Sequence, residues 1–279
     1  MDDSGTHQEQ RIIGSGSSVP FAFVAWDNGC LFIGRAGGIV PRHAHYAIQI
    51  AFGSEPGILF RTRDQDPWVE YAGAMIPSRQ PHSMDVTHVP LNVVLFVEPE
   101  TREGRAIAER HLQHGIAAIA PEMFAELAPP LFSAFSEHRG RLAVERAARR
   151  VIHALSGGVE PSVVTDERIL RAMAHIKAHI DQPVVLDDVA AVAFLSPSRF
   201  RHLFVEQTGV SLRAYVLWRR FIRVWELLSN GASLSIAAHA AGFADAAHLS
   251  RTSRSVFGFP PSAMQMAQLN DDGSDKDTR

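Results

Sequence analysis

Three histidines and a glutamine carry the first candidate chemistry. His43, His45 and Gln49 fall within seven residues of one another, and His82 enters from a later segment. If the stretch from His43 to Phe52 is one strand, period-two alternation puts His43, His45, Ala47 and Gln49 on one face. Imidazoles and a carboxamide placed so have three readings. They hydrogen-bond an organic effector from a pocket wall, they ligate a transition metal, or they are plain structural polar groups. Glutamine adds no charge to hold a divalent ion, so the expectation is an effector site made by His43, His45, Gln49 and His82, with neither metal nor cofactor.

A second set of residues suits nucleic acid. Ser198, Arg201 and His202 fall on the outer face of one short helix, and Ala247, His248, Arg251 and Arg254 on that of another. A guanidinium fork matches the edge of guanine, which makes Arg201 and Arg251 the candidate base readers. Most protein–DNA hydrogen bonds go to the backbone, so His202 and His248 fit either role.

Two copies of one device position these residues. In the first, Leu186-Asp187-Asp188 opens a helix with acidic residues in its first turn. Ser196 and Pro197 then read as N-cap and first residue of the next helix. Phe200, Leu203 and Phe204 face inward at i, i+3 and i+4. In the second, Ile236, Ala237 and Ala240 pack, Gly242-Phe243 makes the turn and Asp245 caps a helix with Leu249 and Val256 inward. Ala190 and Ala238 hold matching places 48 positions apart. Between the copies, Leu212 to Ser229 reads as one helix with Tyr215, Trp218, Phe221, Val224, Trp225 and Leu228 at helical spacing, a rigid spacer. Two helix-turn-helix copies in one chain suit successive stretches of one groove.

The chain has 279 residues, 46% of them hydrophobic, enough for two domains and their connectors. Cys30 is the only cysteine, which excludes an internal disulfide and a thiolate metal cluster. No run approaches the roughly 18 apolar residues of a membrane span, and the polar opening MDDSGTHQEQR does not read as a signal peptide. A cytoplasmic protein without membrane contact is expected. Net charge is −3 overall, yet residues 165–265 carry an excess of three positive charges, where attraction to phosphates needs it.

Short apolar runs punctuated by Gly, Pro, Asp and Asn from Ile12 to Val97 predict many short strands, as in a barrel or sandwich. Residues 103–113, 121–135 and 141–155 predict helices, punctuated by Pro121 and by Pro129-Pro130. The apolar stripe Ala143, Ala147, Val151, Leu155 suits either a dimer surface or packing on the barrel. Ser156 to Thr165 reads as a linker.

The segment from Ile169 to Met264 resembles the DNA-binding domain of the AraC/XylS family of bacterial transcription regulators. The matching residues are Leu186-Asp187-Asp188-Val189-Ala190, Ser196-Pro197-Ser198, Leu203-Phe204, Thr208-Gly209, Tyr215, Arg220 and Leu227-Leu228. They continue with Ala241-Gly242-Phe243, Asp245, Ser250-Arg251, Phe257-Gly258 and Pro261-Ser262. Phe194 departs from the pattern at a turn position where a small residue is usual, Leu249 replaces an aromatic, Ser253 replaces a core Phe, and Gln265 a common Arg. The hydroxyl of Ser253 needs an internal partner, such as its own backbone. The Gly-Gly before His43 and the Pro before His82 resemble cupin motifs, with Gln49 in the place of a Glu.

These resemblances imply an α+β chain. Residues 12–98 would form a cupin-like effector-binding barrel, 99–156 a helical connector for dimerisation, and 166–266 an AraC-type DNA-binding domain able to fold alone. In that family two recognition helices enter successive major grooves about 34 Å apart. The implied function is sequence-specific regulation of transcription, with activation in view, in response to a small-molecule effector. Promoter DNA, RNA polymerase and a second copy of the chain would be the partners, and no enzymatic activity is implied. The alternative is a cupin metalloenzyme with an attached DNA-binding domain.

Overall fold

The computed structural model describes residues 20–26, 29–35, 38–99, 101–137, 140–159, 166–208, 211–257, 259–263 and 265–266. The expected start at Ile12 and most of the linker at 156–165 lie outside them.

The apolar runs become strands β1 (Pro20–Trp26), β2 (Gly29–Gly34), β3 (Ile39–His43), β4 (Ile48–Gly53), β5 (Ile58–Arg61), β6 (Val69–Tyr71), β7 (Gly73–Ile76), β8 (His82–Asp85) and β9 (Asn92–Val97). Helix α1 (Arg102–His111), a short strand β10 (Ala117–Ala118), and helices α2 (Pro121–Ser136) and α3 (Arg141–Ser156) follow. The rest is helical: α4 (Glu167–Ala178), α5 (Leu186–Val192), α6 (Pro197–Thr208), α7 (Leu212–Ser229), α8 (Leu234–Ala240) and α9 (Ala246–Phe257). A 3-10 turn at Pro261–Ala263 leads to β11 (Gln265–Met266). No helix among the described residues is long and apolar enough to cross a membrane.

The chain is thus a mixed α/β protein, a sheet domain followed by a helical one. The expected closed barrel is instead two packed sheets, ordered β10-β7-β4-β9-β2-β1-β11 and β3-β8-β5-β6. Ile58 and Phe60 of the small sheet share one core with Phe32, Ala51 and Ile76 of the large one. Helix, not strand, fills the remaining space: Trp218, Phe221, Ile222 and Trp225 of α7 belong to that same core. The edge ring contact is Phe32 against Trp225, 5.0 Å between centroids.

On the other face of the large sheet, α1, α2 and α3 bury a second core. Leu127, Leu131 and Phe132 of α2 and Val144, Ala148, Val151 and Leu155 of α3 meet Leu31, Ile33, Ile50 and Leu95. The apolar stripe of α3 therefore packs onto the sheet domain. Pro129 and Pro130 do not interrupt α2 as the sequence suggested; the helix runs through them. Each proline inside a helix costs about 3 kcal/mol, and burial of Leu127, Leu131 and Phe132 around the pair, at about 1.5–3 kcal/mol each, offsets a cost of that size.

Candidate functional site

His43 closes β3 and stands opposite His82, the first residue of β8. Gln49 lies in β4 of the other sheet, opposite Phe96. The single strand expected from His43 to Phe52 is two strands in different sheets, joined by a corner at residues 44–47. The polar residues converge across that corner rather than by alternation. The corner is held by the main chain: Arg79 N donates to His45 O at 2.8 Å, and Ser78 Oγ donates to Tyr46 O.

All four side chains are buried. Ring centroids are 4.4 Å apart for His43 and His82, 5.2 Å for His45 and His82, and 5.6 Å for His43 and His45. Each ring gives Nδ1–H to a main-chain carbonyl: His43 to Pro41 O at 2.8 Å, His45 to Ala47 O at 2.8 Å, His82 to Gln80 O at 2.9 Å. A carbonyl only accepts, so the proton sits on Nδ1 in all three rings and Nε2 keeps its lone pair. Burial, and after it the neighbouring His45, lowers the pKa of His43 to about 3. Burial likewise lowers those of His45 and His82. The trio is neutral, an electron-pair donor set. Gln49 Oε1 lies 2.7 Å from His45 Nε2, and a half-turn of the amide would present its NH₂ there instead.

The helical units repeat in detail. In the first turn, Phe194 N donates to Ala191 O and Leu195 N to Ala190 O, at 2.9 and 3.0 Å. In the second, 48 positions on, Gly242 N donates to His239 O and Phe243 N to Ala238 O, at 3.0 and 2.9 Å. Both turns need a left-handed residue, Phe194 at φ +55° and Gly242 at φ +76°. The small residue missing at Phe194 is thus a conformational departure, and its ring points outward, 82% exposed. Helix α6 buries Phe200, Phe204 and Thr208, and α9 buries Leu249, Ser253 and Phe257. Ser198, Arg201, His202, Ala247, His248, Arg251 and Arg254 are all exposed. Asp245 caps α9 by accepting from His248 N at 2.6 Å. That bond comes first among the causes that hold its carboxyl below the usual range.

Between the units lies an open groove of about 1050 Å³. Arg201, Arg213, Arg220, His239 and His248 line it. Arg213 and His239 escaped the sequence reading because neither stands on the outer face of α6 or α9. Arg220 was visible only as a matching position; here its Nη2 donates to Gln182 O at 3.0 Å.

Residues 189–267 match a family model described as a helix-turn-helix domain. The chain is 29% identical over 107 residues to the regulatory protein PocR of Salmonella typhimurium strain LT2, covering 38% of this chain and 35% of PocR. It is 31% identical over 96 residues to the transcriptional regulator GbdR of Pseudomonas aeruginosa, covering 34% of this chain and 26% of GbdR. The chain therefore spans about a third or less of the length of these curated relatives. Unsaturated fatty acid-bound ToxT of Vibrio cholerae has the same overall fold, with a TM-score of 0.50 at 12% identity over 85% of this chain and 96% of that one.

The helix-turn-helix domain does not stand apart from the sheets. Phe96 of β9 contacts Trp218 of α7 and Phe257 of α9, at 5.7 and 5.9 Å between centroids. Arg219 Nη2 pairs with Glu98 Oε1 at 3.3 Å, with side chains 15% and 5% exposed. A cavity of about 220 Å³ opens at this junction, lined by His45, Tyr46 and Arg79 from the sheet domain and by Leu217, Trp218, Phe221 and Val256 from the helix-turn-helix domain. Sequence reasoning read the aromatic residues of α7 as a spacer and missed Phe96, Glu98 and Arg219. The available signal was that α7 is apolar around more of its circumference than two small helical partners could cover.

Proposed function

We propose that this protein is a cytoplasmic, sequence-specific DNA-binding regulator of transcription, and not an enzyme, whose sheet domain answers a small-molecule effector. One observation carries the reading: two capped helices, α6 and α9, keep their basic outer faces open while α7 joins them in one framework. Arg201 and Arg251 read base edges, and Ser198, His202, Ala247, His248 and Arg254 complete the contact faces. Arg213 and His239, beside the groove, attract the intervening phosphates. RNA polymerase and promoter DNA are its macromolecular partners, and a homodimer is its working form. The family match and the regulators PocR and GbdR support the DNA-binding half. The fold shared with ToxT, whose structure holds an unsaturated fatty acid, supports an effector half.

The sheet domain is read as cupin-like, with His43, His45, Gln49 and His82 as its sensing residues. Selection of duplexes from a random pool by the full chain tests the DNA reading. A bipartite site with half-sites about one helical turn apart, bound more weakly as salt rises, is the expected result. A pool that enriches no sequence overturns it.

A further inference from the structure

We propose that the protein carries a second small-molecule site, apart from the histidine cluster, which binds an aromatic carboxylic acid between the large sheet and α3. The site does not depend on the DNA-binding function inferred above.

A cavity of about 420 Å³ opens where β1 and β9 meet the helical layer. Pockets for organic ligands run from about 300 to 1,000 Å³, so the space admits a whole small molecule. Its floor is apolar and buried: Trp26 of β1, Val97 of β9 and Ile152 of α3 belong to the core between the large sheet and the helices. That core lies across the sheet from Phe96 and the histidine it touches.

The rim is basic, and one helix face supplies it. Arg146, Arg149, Arg150 and His153 of α3 stand at i, i+3, i+4 and i+7, and all are exposed. Like charges at i, i+4 oppose helix formation, so Arg146 beside Arg150 works against α3. Arg149 is compensated: its Nε pairs with Glu145 at 2.8 Å, and its guanidinium lies 5.6 Å from the centroid of the Trp26 ring. Arg146 and Arg150 have no ion-pair partner among the described residues. Glu103, the one carboxylate on the lining, is buried and already engaged within the fold. Three guanidiniums against one carboxylate leave the cavity positive. A solvated helix face would account for Arg146 and Arg150 alone, but not for their standing over a buried apolar floor.

The two halves of the cavity select the ligand. A guanidinium fork matches a carboxylate with two parallel hydrogen bonds. The Trp26 ring and its aliphatic neighbours favour a flat apolar body. Inorganic phosphate would satisfy the rim and leave the floor wet. A neutral aromatic would fill the floor and desolvate guanidiniums without pairing them, which is costly. Only a molecule with both parts uses the whole site. The walls are set in advance: Arg141 Nη2 donates to Ala25 O at 2.8 Å and ties the start of α3 to β1. Gly29 leaves room for the indole, since a Cβ there would lie 3.0 Å from Trp26 Cζ2. A pocket formed beforehand spares the ligand the entropy of ordering it.

The test titrates the full chain by calorimetry with biphenyl carboxylate, its neutral counterpart biphenylmethanol, and inorganic phosphate. Expected are one acid bound per chain, an alcohol at least about tenfold weaker, and no displacement of the acid by phosphate at equal concentration. Arg146→Gln and Arg150→Gln should each weaken the acid about tenfold, the loss that one charge-assisted contact carries. Val159→Trp, at the half-buried edge of the lining, should block it. Arg79→Gln, in the cavity at the domain junction, should leave it unchanged. Absence of saturable binding overturns the site, as does equal affinity for the alcohol, displacement by phosphate, or unchanged affinity in both rim variants. Loss of binding in Arg79→Gln with both rim variants unaffected moves the ligand to the junction and overturns the proposal equally. Both rim arginines are exposed, and if one variant fails to fold, the other and the comparison of acid with alcohol still decide.

Discussion

The two helix-turn-helix units share a turn and a capping logic but not a core. The first closes mostly on its own residues: Ile169, Ala172, Ile176, Val189, Ala190, Phe200 and Phe204 meet Tyr215 and Val216 at the start of α7, and Tyr46 of the sheet domain packs against them. The second is thin. Leu249 and Ser253 stand where α6 has Phe200 and Phe204. Its missing volume is made up by Phe221, Phe243, Trp225 and Phe257, and these continue into the sheet domain through Phe32 and Phe96. A recognition unit with a borrowed core can be influenced by whatever the lender binds; a unit with its own core is anchored against such influence. The difference teaches that the two copies divide between a core of their own and a core shared with the sheet domain.

The largest test of that contrast is to cut the chain. A fragment of residues 166–266 leaves Trp225 and Phe257 without Phe32 and Phe96. The first unit should keep its amide-exchange protection while α8 and α9 lose theirs. Equal protection of α9 in fragment and full chain would remove the asymmetry, and would restore the independently folding domain that the sequence suggested.

Point changes sharpen the contrast. Trp225→Ala and Phe200→Ala each remove a fully buried ring, at about 3–5 kcal/mol. In thermal melts followed at both domains, the first should lower the sheet domain's transition too, and the second should leave it in place. Arg201→Ala and Arg251→Ala should each relax base preference in one half-site only, by about 1–3 kcal/mol in binding to cognate against mutated duplexes. A uniform loss on all sequences would reassign either residue to phosphate.

The smallest effects concern the two turns. Gly242→Ala places a Cβ 2.5 Å from Ile180 O at a left-handed φ and should destabilise the second unit by more than about 1 kcal/mol. Phe194→Gly relieves the same backbone conformation on an exposed ring, and should raise the first unit's stability by up to about 1 kcal/mol. A loss of stability there would mean that the contact of Arg171 with the Phe194 ring, 5.4 Å from its centroid, matters more than the backbone.

What the sequence disclosed was local. Caps at Ser196 and Asp245, the turn at Gly242-Phe243 and the inward spacing on α6 and α9 each depend on neighbours a few residues away. Ser253 was legible as a buried hydroxyl in need of a partner, but its bond reaches forward to Phe259 O, at 2.7 Å, rather than back along its own helix. The histidine trio was recognised for a reason the fold does not use. Residues 44–47 contain neither Gly nor Pro, so nothing local marked the corner that splits His43 from Gln49 between two sheets. The shared core was hidden because Phe32, Phe96, Trp218 and Trp225 look like ordinary core residues of their own segments. Which ring meets which is decided by docking, a long-range choice that periodicity does not encode.

One edge of the large sheet is completed by β11, which runs parallel to β1 and pairs Pro20 with Gln265 and Phe21 with Met266. During synthesis the ribosome makes that last ribbon only after both helix-turn-helix units. The sheet domain therefore reaches its finished form only once the helical domain has already been translated, and a product truncated before Gln265 would lack this last strand of the sheet.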